Sequence, residues 1–253
     1  MQDVIALDIG NSCCKLCLNS QVIIIIANQD VLASCFKLNL EQNNPYLIIS
    51  ISSVLNTEHT KQLIEKLKTK LNWQYIKLIF WNSRDILKIA LPTHYQELNH
   101  LGSDRALRIY YLSKLEQDIP QIGVGCGTGF TIEIIQHGKL MESLILPGLK
   151  LQLTSLFQQT DKLPFVTPEA VEEILSNKSA KLTTAHAICS GIIYGYLGLI
   201  AQLALHYQAK QIICSGAYAH LIQKFAHSSI QNKVKVITHL ELNILQQLAD
   251  AHN

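Results

Sequence analysis

The sequence has little charge. Only 16% of its 253 residues are Asp, Glu, Lys or Arg, and 21 basic against 19 acidic side chains leave a formal charge of +2. No basic face or run is concentrated anywhere, and the ten histidines are scattered, so nothing resembles the electrostatic footprint of a nucleic-acid binder. No basic segment precedes an apolar core near Met1, and no secretory leader is expected. The apolar run Val22 to Ala27 is too short to span a bilayer and reads as a buried strand; no membrane partner is expected. A disulfide framework is missing too. Seven cysteines is an odd number, and their spacing shows no pattern, which points to reduced thiols in the cytoplasm. Cys13, Cys14 and Cys17 cluster, but no second Cys/His pair stands at finger-like spacing, so they are expected as buried core thiols.

What is present is apolar material, 48% of the chain, ample for a buried core. Apolar residues run into Asp8, a small polar turn follows, and two further strands complete an antiparallel start. Y-L-I-I-S-I-S-S-V and K-L-I-F-W read as strands, with helices expected from about Glu58 to Leu71 and from Asp104 to Leu115. The pattern then begins again. Ile122 to Gly129 is a strand entering a glycine turn, and Phe130 to Ile135 leaves it. L-I-L-P-G-L, Q-I-I-C-S-G-A and V-K-V-I read as strands. Helices are expected around Lys150 to Gln159, Ala185 to Tyr207, Ala219 to His227 and at the end of the chain. No low-complexity linker divides the halves. The expectation is an α/β protein of two related lobes, 1–119 and 120–253, with a cleft between them.

Three constellations could carry chemistry. Asp8-Ile9-Gly10-Asn11-Ser12, followed by Lys15, places a carboxylate at a strand end before a turn of small residues. Turn amides can cradle a phosphate, Asp8 can hold Mg2+ through water, and Lys15 can neutralise phosphate charge. The same stretch also reads as an ordinary hairpin. Gly125-Cys126-Gly127-Thr128-Gly129 repeats the arrangement at the start of the second half. Two phosphate turns facing a cleft follow the logic of the acetate kinase, hexokinase and actin-like fold. Leu101-Gly102-Ser103-Asp104-Arg105 opens a helix. There Asp104 either stabilises the helix end or serves as a general base beside Arg105, which can clamp a carboxylate with two hydrogen bonds.

In this order the motifs resemble those of the type III pantothenate kinases, the bacterial form with the actin-like (ribonuclease H-like) fold. D-I-G-N-S-x-x-K resembles the family's first phosphate motif, D-x-G-N-T. Y-Q-E-L-N-H-L-G-S-D-R resembles its substrate segment, and G-C-G-T-G-F-T-I-E its second phosphate motif, D-x-G-T-A-x-T. L-I-L-P-G-L, T-T-A-H-A-I-C-S-G and I-I-C-S-G-A resemble its later segments. The resemblance implies ATP-dependent phosphorylation of pantothenate to 4′-phosphopantothenate, the first step of coenzyme A biosynthesis. It assigns Asp104 as proton acceptor. It gives Tyr95, Gly102, Ser103, Arg105 and Thr184 to pantothenate, and Asp8, Gly10, Asn11, Ser12, Lys15, Gly127 and Thr128 to ATP and Mg2+. It also implies a homodimer and, in many members, a monovalent cation, K+ or NH4+.

The sequence departs from the family pattern in places. Gly125 stands where an aspartate normally binds the monovalent cation, so that ligand is missing and the cation site is absent, rebuilt or unnecessary. Glu133 reads either as a replacement acid or as a solvent-facing strand residue. Met141-Glu142-Ser143 and Ser215-Gly216-Ala217 replace paired glycines, and Tyr110 and Tyr111 stand in place of small alanines. His186 reads as a surface helix residue, and Tyr194 and Tyr196 as packing on a helix face. These departures motivate one alternative: an impaired homologue that binds pantothenate or nucleotide and acts as a regulatory protein.

Overall fold

The computed structural model describes residues 3–10, 13–18, 22–27, 46–54, 58, 60–62, 65, 75–98, 101–116, 118–177, 179 and 182–251. The chain divides into two compact units, 1–111 with 239–253 and 112–238. The sequence alone places the division as linear halves, 1–119 and 120–253. The exchange falls a few residues before 120, and the last segment of the chain returns to the first unit.

The first unit is built on a five-stranded sheet of β1 (Asp3–Ile9), β2 (Cys13–Leu18), β3 (Val22–Ala27), β4 (Tyr46–Ser53) and β5 (Tyr75–Phe80). The strand order is β3-β2-β1-β4-β5. β1, β2 and β3 pair antiparallel, and β4 and β5 add in parallel. β1 and β4 are buried along nearly their whole length, which is why they read as continuous apolar runs rather than alternating ones. The register places Asp8 opposite Lys15 on one side and Ser52 on the other. These three side chains therefore share one sheet face, two residues along from Ala6 and Ser50. Helix α1 (Ser83–Ala90) follows β5 and begins at Asn82, whose side chain accepts from the Asp85 amide. A short 3₁₀ turn over Tyr95–Glu97 leads to α2 (Ser103–Ser113). Of the helix expected over 58–71, residues 58, 60–62 and 65 are described, and all are helical.

The second unit repeats the topology. β6 (Gln121–Cys126), β7 (Gly129–Gln136) and β8 (Lys139–Pro147) form the antiparallel part. β9 (Gln211–Ser215) and β10 (Val234–Val236) add in parallel, in the order β10-β9-β6-β7-β8. Between β8 and β9 run α3 (Leu149–Gln158), α4 (Val171–Ser176) and the 23-residue α5 (Thr184–His206). α6 (Ala219–Phe225) and α7 (Ser228–Gln231) precede β10, and α8 (Leu240–Asp250) closes the chain. α5 is long and apolar enough to cross a membrane by length and composition. Its Cys189, Ile193, Tyr196, Ile200 and Ala204 nevertheless sit in the core against Val124, Phe130 and Ile132, as expected of the central helix of an α/β unit. Its other face carries Gly191, Gly195, Gly198 and the exposed Tyr194 and Leu205. Tyr194 thus departs from the packing expected of it.

Candidate active site

In the first unit the site begins at the end of β1. Asp8 is 5% exposed. Gly10 turns the chain, donating its amide to Cys13 O at 3.0 Å, and a Cβ there would press on the same oxygen at 3.1 Å. Asn11 and Ser12 lie outside the described residues. Lys15 returns on β2 with Nζ 3.7 Å from Asp8 Oδ2 and 3.5 Å from Glu241 Oε2. Burial pushes the Asp8 carboxyl up to about 7, Glu241 adds to the rise, Lys15 opposes it, and Asp104 contributes further in the upward direction. Burial by itself would lower the Lys15 ammonium, but the Glu241 and Asp8 carboxylates outweigh it and hold Lys15 above its ordinary value.

α2 carries the next group. Ser103, at its first turn, accepts a hydrogen bond from Ser52 Oγ at 3.0 Å. Ser52 is the β4 partner of Asp8, so the helix start is fixed beside the end of β1. Asp104 folds back over Gly102, whose absent Cβ would lie 2.8 Å from Asp104 Oδ1; any larger residue would displace the carboxylate. Asp104 is half-buried, and Arg105 is buried at 7% exposure. Tyr95 is half-buried in the 3₁₀ turn. The first unit therefore brings Asp8, Lys15, Ser103 and Asp104 into one electrostatic neighbourhood.

In the second unit, Gly127 and Thr128 form the tight turn between β6 and β7. Gly127 N donates to Gly129 O at 3.2 Å, and Gly148 N donates to Thr128 O at 2.9 Å. Two glycines press on this turn. A Cβ on Gly148 would lie 2.2 Å from Gly127 O, and one on Gly216, at φ +100°, would lie 2.6 Å from Cys126 O. Tyr196 braces the same place. Its ring stacks on Phe130 at 3.8 Å, its hydroxyl donates to Pro147 O at 2.6 Å, and Gln152 Nε2 donates to that hydroxyl at 2.8 Å. Burial raises the Tyr196 hydroxyl well above its ordinary value, so it stays a donor. Thr184 is the exposed first residue of α5, after the capping Thr183, whose Oγ1 accepts from the His186 amide at 3.2 Å.

Gly125 pairs with Thr131 on one side and Ser215 on the other. These are hydroxyl residues, and no carboxylate stands at the position itself. Glu133 lies one pair further along the same face, opposite Gly123, and is wholly buried. It is not the solvent-facing residue that one reading of the sequence expected. Tyr110 and Tyr111 are half-exposed, and the buried apolar residues of α2 are Ala106, Leu107, Ile109 and Leu112.

The structure adds two residues that the sequence did not single out. Glu241, in the first turn of α8, is 5% exposed, and Arg108, on α2, is 2% exposed, with Nη1 3.9 Å from Glu241 Oε1. Both are charged and nearly inaccessible, a condition found where charges are paired.

The donor set suits a divalent cation at Asp8. Asp8 Oδ1 is buried and has no hydrogen-bond partner among the described residues, and the Glu241 carboxylate nearby adds to the rise of the Asp8 carboxyl. Magnesium, binding through one carboxylate and its own waters, would satisfy that oxygen. Around Gly125 the corresponding test fails for a monovalent cation held by a carboxylate at that position, since glycine offers no side-chain oxygen.

The profile of the type III pantothenate kinases matches residues 4–206. A type III pantothenate kinase from Acinetobacter baumannii is 28% identical over 256 aligned residues, covering 95% of each chain. Among solved structures, a Campylobacter jejuni protein described as a candidate Baf family transcriptional activator aligns with a TM-score of 0.58 at 18% identity over 98% of both chains. A candidate N-acetylmannosamine kinase from Listeria monocytogenes aligns at 0.50 and 13% identity over the whole of both. At these identities the structural likeness speaks for the fold alone, which is that of the actin-like ATPases and sugar kinases. The profile match, spanning most of the chain, identifies the lineage: the chain belongs to the type III pantothenate kinase family.

Proposed function

We propose that the chain works in the cytoplasm, as a homodimer, and transfers the γ-phosphoryl group of ATP to the primary hydroxyl of pantothenate, with the residues above in the following roles. Asp8 would hold magnesium, which supplies charge neutralisation on the β- and γ-phosphates when bound. Lys15 lies 3.7 Å from that carboxylate and meets phosphate oxygens as a point charge. The turns at Gly10–Ser12 and Gly127–Thr128 would meet the phosphates, where backbone amides not already bonded within a turn, as those of Gly10 and Gly127 are, would stabilise charge developing in the transition state. Asp104 accepts the proton of the attacking hydroxyl. Gly102, Ser103, Arg105, Tyr95 and Thr184 orient pantothenate, with the Arg105 guanidinium matched to its carboxylate. No step is assigned to a monovalent cation.

The observation that carries the reading is the gathering of Asp8, Lys15 and Asp104 in a chain whose family match spans residues 4–206. The binding-only alternative has no observation in its favour. Asp104→Asn keeps the size of the side chain and removes the base. It is expected to lower kcat by about 100-fold or more while MgATP affinity, read by calorimetry, stays near wild type. Normal turnover in that variant would refute the role of Asp104.

A further inference from the structure

We propose that Glu241 is a positioning residue for the phosphate-handling Lys15, an inference that rests on the kinase reading above. Glu241 arrives from the far end of the chain, 226 residues from its partner. Its two carboxylate oxygens face different elements: Oε2 is 3.5 Å from Lys15 Nζ on β2, and Oε1 is 3.9 Å from Arg108 Nη1 on α2. Both the Glu241 and Arg108 side chains are almost inaccessible, at 6% and 3% exposure, and Lys15 is 20% exposed. One carboxylate thus joins the strand that carries the phosphate lysine to the helix that carries Asp104. The backbone is committed to this placement. His239, immediately before α8, is a non-glycine residue at φ 54°, a conformation that persists where its surroundings enforce it. The α8 backbone is further tied to the sheet by Ser50 Oγ, which donates to Leu245 O at 2.8 Å.

The sign of the effect separates positioning from simple electrostatics. A buried carboxylate near a phosphate site repels the phosphate, so on charge alone its removal should tighten ATP binding. The geometry points the other way. Lysine has a long flexible stem and loses much rotamer freedom when fixed. With Glu241 and Asp8 on either side, that freedom is already spent before nucleotide arrives, and the ammonium is held at the end of β1 where the phosphate turn begins. Without Glu241, Lys15 keeps Asp8 as its one ion-pair partner among the described residues, and Arg108 loses a buried counter-charge.

The test is direct MgATP binding by calorimetry for wild type, Glu241→Gln, Lys15→Met and the double variant, with pantothenate-dependent turnover measured in parallel. Glutamine keeps the shape of the side chain, and thermal unfolding reports whether the variant is folded. Glu241→Gln is expected to weaken MgATP binding by about fivefold or more in the wild-type background and to have no further effect in the Lys15→Met background. Glu241→Asp, which keeps the charge but shortens the reach, is expected to weaken binding in the same direction, and it decides the matter if the glutamine variant does not fold. Unchanged or tighter binding in the folded variant overturns the proposal. So does a loss of equal size with and without Lys15, which is the mark of a general structural role. Wild-type turnover distinguishes this failure from failure of the kinase reading: a wild type that phosphorylates pantothenate while Glu241→Gln binds normally sinks the inference alone.

Discussion

Asp8 is the residue proposed to hold magnesium, and its ionisation is costly. Burial and the neighbouring Glu241 carboxylate hold its carboxyl near pH 7 in the folded chain, against an ordinary value of 3.8. An acid whose pKa is raised by folding binds more protons in the native state than in the unfolded state. Its contribution to stability is therefore complete below about 4 and lost as pH rises through 7. His239, held below its ordinary 6.5 by burial, acts in the opposite sense only at lower pH. Between pH 6.5 and 8 the metal-free protein should become less stable to urea as pH rises, and Asp8→Asn should flatten that slope. A wild-type slope of the opposite sign would contradict the electrostatics described here. Magnesium should counter the loss, since it favours the ionised carboxylate. Asp8, Lys15 and Asp104 were singled out in the sequence because each sits in a short local motif, and the structure places them near one another. Glu241 was not: its partners lie 226 and 133 positions away, and nothing in T-H-L-E-L marks it as buried.

At the scale of elements, the second turn depends on neighbours that approach closer than any side chain would permit. Gly148 ends β8, caps α3 and donates to Thr128 O, and its missing Cβ would overlap the turn's own carbonyls. Gly148→Ala should therefore displace the Gly127–Thr128 turn, destabilise the protein by at least about 2 kcal/mol and raise KM for ATP. Thermal unfolding with steady-state kinetics checks both, and a variant with wild-type stability and KM would show that the turn tolerates the shift. L-I-L-P-G-L reads as a strand, and the role of its Gly148 as a contact surface for a turn twenty residues earlier was not readable. Strands were the most legible elements. β1, β4 and β6 are buried on both faces, so their apolar runs leave little ambiguity. α1 and α4, of eight and six residues, were not foreseen. They are too short for a helical period to establish itself, although Asn82 carries a capping signal. Glu133 shows the limit of period-two reasoning: alternation puts it on the face away from the unit's helices, but alternation cannot say whether that face meets water.

For the whole molecule, the repeat seen in the sequence is repeated in topology. Each unit is an antiparallel meander of three strands extended by two parallel ones, with a glycine turn after its first strand. The two glycine turns thus occupy the same place in duplicated architecture. The repeat was legible because strand, turn and strand recur in order. The return of α8 to the first unit was not, because the chain order of α8 gives no indication of which sheet it covers. That return is what brings Glu241 to Lys15.

As a member of the type III pantothenate kinase family, the chain phosphorylates pantothenate. The most direct test is ADP release by purified protein with magnesium-ATP, with and without pantothenate, in sodium, potassium and ammonium buffers. The account predicts pantothenate-dependent ADP release, and of similar rate in all three buffers if Gly125 has removed the need for a particular cation. Folded protein that binds pantothenate but releases no ADP in any buffer would contradict it.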